Sequence, residues 1–341
     1  MTERRQSTPD VVEAAHELIV RDGRVAVATI ISTWGSAPVP VGGQMAISEA
    51  GDFQGSVSGG CVEGEVIAEA SELLVEGGRP RILSYGVEDE TAWRVGLPCG
   101  GKIQILVERL EGAADRVHLK RLTEARTSRQ ALVVRTSVAD GARQVFARSD
   151  VGVADDIVQR FFSGKSTVEP SAAGDVFVHA LLPPPRVVIV GATHIGQVLA
   201  DLVAITGFQA VVVDPRTAFA AEARFSSATL VTEWPQDALP QLGLDAYTAV
   251  AALAHVGHID DEALKLAVAS ECFYVGALGS KRNHAKRVER LAAGGVTAEQ
   301  IARIRSPIGL DLGASTPPEI ALSVMAEILR HLRGIKGKGA A

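Results

Sequence analysis

The stretch Val187-Val188-Ile189-Val190-Gly191-Ala192-Thr193-His194-Ile195-Gly196-Gln197-Val198-Leu199, with Ala210-Val211-Val212-Val213-Asp214 after it, decides the fold of the C-terminal half. Its first four residues are consecutive β-formers, as in a strand buried on both faces. Ile195, Val198, Leu199, Leu202 and Val203 then recur with the helical period, and 210–213 is a second apolar strand. Strand, glycine turn, helix and strand make a βαβ unit, whose crossover joins parallel neighbours. Working outward, strands predicted at 248–253 and 273–275 alternate with helices, so residues 186–333 are expected to form a Rossmann-like, doubly wound parallel sheet. Its last helix should open at Thr316-Pro317-Pro318-Glu319, a capping box with proline at the first helical position, and bury Ile320, Val324, Ile328 and Leu332. Residues 334–341 read as a loose tail.

The glycine turn is a candidate phosphate site, because free N–H groups and the dipole at a helix start attract anions. Gly191, Thr193, His194 and Gly196 would line it, and Asp214, 23 residues after Gly191, stands where an acid accepts hydrogen bonds from a ribose. Thr193 replaces the middle glycine that lets a pyrophosphate reach the backbone. Three readings remain: a phosphate-bearing ligand, ordinary NAD(P), and a purely structural turn. A second turn, Gly276-Ala277-Leu278-Gly279-Ser280, leaves a strand and enters Lys281-Arg282-Asn283-His284-Ala285-Lys286-Arg287. In a parallel sheet it emerges at the same carboxyl edge, so Gly279 and Ser280 are expected to share the crevice, bordered by positive side chains or by a solvated basic helix face. His255, His258 and Asp260 follow another strand at that edge. They suit metal binding or proton movement, with helix capping as the plainer role for Asp260 or Asp261.

Upstream, Pro183-Pro184-Pro185 interrupts any regular element, and residues 1–183 are read as a separate α+β domain. Val12, Ala15, His16 and Ile19 share a helical face. Strands are predicted at 25–31, 44–47, 103–107 and 176–182, with two more around Ala139-Asp140-Gly141. Helices are predicted after Cys61, near 115–126 and near 153–162. The domain carries two cysteines in matching glycine settings, Ser58-Gly59-Gly60-Cys61-Val62-Glu63 and Gly96-Leu97-Pro98-Cys99-Gly100-Gly101, and Cys272 is the chain's only other cysteine. Glycines beside a thiol leave it approachable, so Cys61 and Cys99 are candidate soft ligands or nucleophiles, with Glu63 as the neighbouring carboxylate. Packed, inert cysteines in glycine turns are the alternative. Gly42, Gly43 and Gly55 either line the same cavity or form turns.

Composition narrows the classes. With 341 residues, 47% hydrophobic content and a net charge of −6, the chain reads as an ordinary globular protein with no general attraction to nucleic acid or anionic membrane. No apolar run reaches the length of a membrane span, and the N-terminus lacks a signal core, so a cytoplasmic location is expected. Three cysteines without a CxxC pair argue against a disulfide frame and a closed structural zinc site. They also exclude a pair of [2Fe–2S] clusters, which takes about eight cysteine ligands. None of Tyr85, Tyr247 and Tyr274 has a lysine four residues later, so the acid–base pair of one common reductase class is missing.

The two cysteine motifs, the Gly276-Ala277-Leu278-Gly279-Ser280 turn and Pro307-Ile308-Gly309-Leu310-Asp311-Leu312-Gly313-Ala314, in this order and across nearly the whole length, make the chain resemble the xanthine dehydrogenase accessory factor family, the XdhC-like and CoxI-like proteins. The resemblance implies a chaperone that binds the molybdenum cofactor (molybdopterin) as cargo, protects it during sulfuration and helps insert it into a molybdenum hydroxylase of the xanthine or carbon monoxide dehydrogenase type. It implies that client as partner, with a cysteine desulfurase and a homodimer as further expected associations. Cys61 or Cys99 would meet the metal end, and Gly191, Gly196 and the Gly279-Ser280 turn would suit the phosphate. The family's Gly-Ser-Ser/Thr-Pro-Arg loop reads Gly35-Ser36-Ala37-Pro38-Val39 here. Its Thr-His-Asp run reads Ala254-His255-Val256. The competing reading is an NAD(P)-binding oxidoreductase of the Rossmann class.

Overall fold

A computed structural model of the chain describes residues 10–35, 37–86 and 101–334. Cys99 and most of its motif, Ser36, and the expected tail beyond residue 334 lie outside the described residues. The chain divides into two compact units, Met1–Pro183 and Pro184–Ala341.

In the first unit the strands are antiparallel. Helix α1 (Val11–Asp22) is followed by β1 (Arg24–Trp34), β2 (Gln44–Ile47), β3 (Phe53–Gly55), α2 (Glu63–Glu76), β4 (Arg81–Tyr85) and β5 (Lys102–Glu111). The strands form one sheet in the order β3-β2-β1-β5-β4. Seven consecutive buried positions in β1, 25–31, place this central strand between two packed faces. Val66, Ala70, Leu73 and Leu74 give α2 its buried stripe against that sheet. Helix α3 (Gly112–Thr127), β6 (Leu132–Ser137), β7 (Arg143–Ala147), α4 (Asp155–Ser163), β8 (Thr167–Glu169) and β9 (Val176–Leu181) complete the unit, and its second sheet runs β7-β6-β9-β8. The sequence reading missed β3, β4 and β8, which are only three to five residues long and half-buried or exposed, so they carry little apolar pattern. A cavity of about 50 Å³ inside the unit is lined by Glu108, His118, Arg143 and His179 among apolar side chains. Burial pushes both imidazoles down to about 4, with the Arg143 charge adding to the effect at His118.

The second unit is the parallel one. It comprises β10 (Arg186–Val190), α5 (His194–Ile205), β11 (Gln209–Val213), β12 (Thr229–Val231), α6 (Pro235–Leu242), β13 (Thr248–Ala252), α7 (Gly257–Ala269), β14 (Tyr274–Ala277), α8 (Lys281–Ala293), α9 (Ala298–Ala302), β15 (Ile304–Arg305) and α10 (Pro317–Leu332). The six strands lie in the order β12-β11-β10-β13-β14-β15, all parallel. This Rossmann-like order reverses direction between β10 and β13, the point at which sheets of this kind place their ligand sites. Apolar layers cover both faces of the sheet. Helix α10 starts where the sequence predicts, with Glu319 accepting from the Thr316 N–H at 3.1 Å. Its buried face is Ala321, Val324, Met325 and Ile328, whereas Ile320 and Leu332 are only half-buried. Small Ala321 and flexible Met325 let the helix sit close, turned slightly from the face marked by the larger residues. Among the described residues, no helix is long and apolar enough to cross a membrane.

Candidate functional site

In the first unit the site is the loop from Ser56 to Val62. Helix α2 begins at Glu63, so Cys61 stands just outside the helix rather than opening it. The Glu63 side chain turns back over the loop. Its Oε1 accepts from the Ser56 hydroxyl at 2.7 Å and from the N–H groups of Val57 and Ser58 at 3.2 and 2.9 Å. Its Oε2 accepts from the Ser58 hydroxyl and from the Gly60 N–H at 2.9 Å. Ser58 Oγ accepts in turn from the N–H groups of Cys61 and Val62, each at 3.0 Å. Burial pushes the Glu63 carboxyl up, but the Ser58 and Ser56 hydroxyls and the backbone donors outweigh it and hold the group down at about 2. Glu63 is therefore an ionised brace whose oxygens face the loop.

Gly59 and Gly60 have φ of +77° and +116°, a conformation that favours glycine. Among the described residues, a Cβ at Gly60 or Gly64 would meet nothing within 4 Å, while one at Gly59 would touch Pro38 at 3.6 Å. Among the described residues Cys61 is bonded to no other cysteine; it is half-buried and packs against the sheet's apolar cluster, and Cys272 is buried in the second unit's core. Gly42 and Gly55 are turn and packing glycines: Gly42 lies under the His179 ring, and a Cβ at Gly55 would overlap β2. A separate recess of about 410 Å³ is lined by Trp34, Ser84, Tyr85, Lys102 and Gln104.

In the second unit the predicted turns do meet at one edge. Gly191 has φ +116°, and a Cβ there would overlap the backbone of Ala254, so this glycine serves the contact between the ends of β10 and β13. At Gly196 a Cβ would overlap the Gly191 carbonyl oxygen, which makes it the glycine that seats α5 on the turn. Thr193 is the N-cap, its hydroxyl accepting from the Gly196 N–H at 3.1 Å. It thus occupies a donor that an anion would otherwise meet. His194 is exposed in the first turn.

Asp214 is fully buried. It accepts from the Ala192 N–H at 2.7 Å and from the Arg216 backbone and guanidinium at 2.7 to 2.9 Å. Burial pushes its carboxyl up, yet the hydrogen bonds from Arg216 and Ala192 hold it below the usual carboxylate range. These four bonds fill a carboxylate's acceptor sites, so the oxygen expected to serve a ribose is committed to bracing the Gly191 turn.

Ser280 is the N-cap of α8, accepting from the Asn283 N–H at 3.3 Å, and Gly279 has φ +138°. Of the basic run that follows, Lys281, Arg282 and Lys286 are exposed, while Arg287 is buried and donates to the Leu278 carbonyl at 2.9 Å. Asp260 caps no helix. Its Oδ1 accepts from the Ala254 N–H at 3.1 Å, and burial lifts its carboxyl to about 6 against the opposing charge of Arg287. Asp261 pairs with Arg290 at 2.6 Å. His258 is exposed, its ring tilted by 45° against that of Trp234 with centroids 5.7 Å apart, and His255 holds a positive φ of 59° at the surface. Among the described residues, no group of three or more His, Cys, Asp or Glu is placed to hold a metal ion.

Asp260 and Arg287 were underweighted in the sequence reading, yet each carries a signal. Asp260 interrupts the apolar stripe of α7 next to Ile259, Ala263 and Leu264. Arg287 lies four residues before buried Leu291, on the inward face of an otherwise polar helix. A charge on a buried stripe is the pattern to look for.

Comparison with known proteins matches the two units separately. The XdhC Rossmann domain matches residues 187–328, and the XdhC and CoxI family matches residues 18–86. A probable xanthine dehydrogenase subunit from Bacillus subtilis is 29% identical over 89% of this chain and 92% of its own length. The molybdenum cofactor insertion chaperone PaoD of Escherichia coli is 28% identical over 93% of this chain and 86% of its own. A crystal structure of a xanthine dehydrogenase from Bacillus halodurans superposes with a TM-score of 0.71 at 25% identity, covering 97% of this chain and 98% of that one. With both units matched in order, and with relatives that align over most of its length, the chain belongs to the XdhC and CoxI family of xanthine dehydrogenase accessory factors.

Proposed function

We propose that this protein is a molybdenum cofactor-binding maturation chaperone, which shelters the cofactor, aids its sulfuration and helps insert it into a molybdenum hydroxylase client. The observation that carries the reading is the Cys61 loop: a half-buried cysteine that packs on the edge of the sheet's apolar cluster, beside the open Cβ positions of Gly60 and Gly64, on a loop whose backbone is fixed by Glu63. A soft thiolate suits molybdenum and its sulfur ligands, and a loop fixed in advance avoids the entropy of ordering on binding. Cys99 is a second candidate ligand, and a cysteine desulfurase is the sulfur source the reading calls for. The name of the PaoD relative points to the same cargo. NAD(P) chemistry fits less well, since Thr193 caps the turn and Asp214 has no free acceptor.

The test mixes purified protein with molybdenum cofactor and, in parallel, with NAD(H) and NADP(H). Bound molybdenum and nucleotide are measured for wild type, Cys61→Ala and Cys99→Ala. Molybdenum should bind to wild type and fall on removal of at least one thiol. Low-micromolar nucleotide binding without molybdenum would replace this reading by the oxidoreductase one, and binding unaffected by either substitution would make the thiols structural.

A further inference from the structure

Residues 37–43, in the connection between β1 and β2, meet the Cys61 loop at one end and the second sheet of the same unit at the other. At the first end Pro38 lies against the turn before the cysteine, since a Cβ at Gly59 would stand 3.6 Å from its ring. Ala37, Val39 and Val41 pack, as Cys61 does, on the apolar cluster between α2 and the first sheet. Val41 also packs on a second cluster, which contains Leu106 of β5 and Phe177 of β9. Leu106 follows Ile105 of the first cluster, and successive strand residues face opposite sides. The segment therefore crosses from one face of the first sheet to the other.

Its far end rests on a histidine. A Cβ at Gly42 would stand 3.0 Å from Nε2 and 3.3 Å from Cδ2 of His179, so the ring lies directly against the Gly42 backbone. Gly42 has φ +92°, and only a residue without a side chain fits both that conformation and that contact. His179 is 8% exposed, with its ring centroid 5.3 Å from that of Phe177. Burial pushes its imidazole down to about 4, so it packs as a neutral ring. It also lines the cavity of about 50 Å³, which His118 of α3 borders as well.

The segment transmits a displacement because its turn is tied together. The Gly42 N–H donates to the Ile30 carbonyl at 2.8 Å, the Ile30 N–H to that of Gly43 at 2.9 Å, and the Gly43 N–H to that of Pro40 at 3.0 Å. Loss of the ring would join its space to the existing cavity, and the turn at 40–43 would lose its support on that side. We propose that His179 is a positioning residue for the Cys61 site: its ring sets where residues 37–43 lie, and through Pro38 they hold the 59–61 turn in place. The proposal deepens the reading of Cys61 as the cargo-contacting thiol, and its bearing on cargo rests on that reading.

The probe is iodoacetamide at about pH 8, applied to the full chain, with alkylation of each cysteine followed by peptide mass spectrometry. The proteins are wild type, His179→Ala, His179→Phe and His118→Ala, their folding checked by circular dichroism. Cys61 should react roughly fivefold faster or more in His179→Ala, because its turn opens locally more often. His179→Phe keeps a ring against Gly42 and should return the rate to within about twofold of wild type. His118→Ala enlarges the same cavity from α3 without touching Gly42 and should leave the Cys61 rate unchanged. An unchanged or slower Cys61 in His179→Ala, an equal gain in His118→Ala, or no rescue by His179→Phe overturns the proposal. Gly42→Ala reaches the same contact from the segment's side, its Cβ pressing on the ring at 3.0 Å, and decides the matter if His179→Ala does not fold. It should speed Cys61 by a similar factor, and no change would sink the idea. The alkylation uses no cofactor, so the two readings fail separately. If Cys61 responds to His179 while molybdenum binding ignores Cys61→Ala, the positioning role stands and the thiol's role toward cargo falls; if molybdenum binding needs Cys61 but its alkylation ignores His179, only the positioning role falls.

Discussion

Around Cys61 the N–H groups of residues 57–62 are all satisfied from within, by Glu63, Ser58 and Ser56, while the cysteine side chain sits half-buried at the edge of the apolar cluster. At the carboxyl edge of the parallel sheet, Asp260 and Arg287 keep buried atoms open while their other atoms hold two loops in place. Both regions use glycine turns at the start of a helix, so sequence alone makes them look alike. The difference is in what happens to the helix-start donors. In the first unit a side chain of the protein fills the nest of N–H groups, which turns an anion site into a rigid mount for one sulfur. In the second, Thr193 and Ser280 cap their helices and the unmet hydrogen-bonding capacity lies deeper, on the buried side chains of Asp260 and Arg287.

The strongest way to break this contrast is Glu63→Ala. It removes five hydrogen bonds and leaves the N–H groups of Val57, Ser58 and Gly60 without their acceptor. A loss of about 3 kcal/mol in the first unit is expected. Hydrogen exchange should speed up over 56–62 and stay unchanged over 191–196. If exchange at 56–62 is unaffected, the brace is not what orders the loop.

Acid should separate Asp260 from Glu63, His118 and His179 next, because their titrations have opposite sign, although each unit also holds a carboxyl of the other kind, Asp214 held down in the second and Glu108 raised by burial in the first. Glu63, His118 and His179 all have depressed values in the folded state, so the stability they contribute is lost as pH falls: through about 6.5 to 4 for the histidines, and through about 4.5 to 2 for Glu63. Asp260 is raised to about 6, so it holds its proton more tightly when folded and weakens the fold as pH rises through 4 to 6. His284, pushed down by burial and by Arg287, works against Asp260 within its own unit. Variants isolate the signs. Asp260→Asn should raise second-unit stability at pH 7.5 relative to pH 5 by on the order of 2 kcal/mol, whereas His179→Gln should reduce the first unit's loss between those pH values by a similar amount. Amide exchange at the two pH values reads both, and a shift of the same sign in both variants would contradict the assignment.

How much of this was legible in the sequence depends on whether a residue's role is set by its local pattern or by a partner far along the chain. The βαβ unit around Gly191, the cap at Thr316 and the stripe of α2 follow from periodicity and turn chemistry, and they are where the sequence places them. Asp214 was legible as a strand-end acid but not as a brace, because its occupancy depends on Arg216 folding back and on Ala192, 22 residues away, meeting it. The Asp260 and Arg287 pair depends on β13 and β14 lying side by side, which brings residues 27 apart to within 3.8 Å. Glu63 was read as a neighbour of the thiol. Its direction, into the loop, depends on two glycines at positive φ.

Thr193 offers the mildest perturbation. In the doubly wound dinucleotide folds the middle glycine allows close approach of a pyrophosphate, so Thr193→Gly restores the missing feature of the turn. The threonine cap gives way to glycine at an N-cap, a replacement that typically costs a few tenths of a kcal/mol, and the melting temperature should fall by no more than a degree or two. If Thr193 alone kept NAD(H) out, the variant would gain measurable binding by nucleotide fluorescence. No gain is expected, because both oxygens of Asp214 are still bound to Arg216 and the turn, and a ribose hydroxyl still finds no acceptor there. A clear gain would mean that Asp214 releases Arg216 when a ribose arrives, and the closed crevice edge would then be a gate rather than a brace.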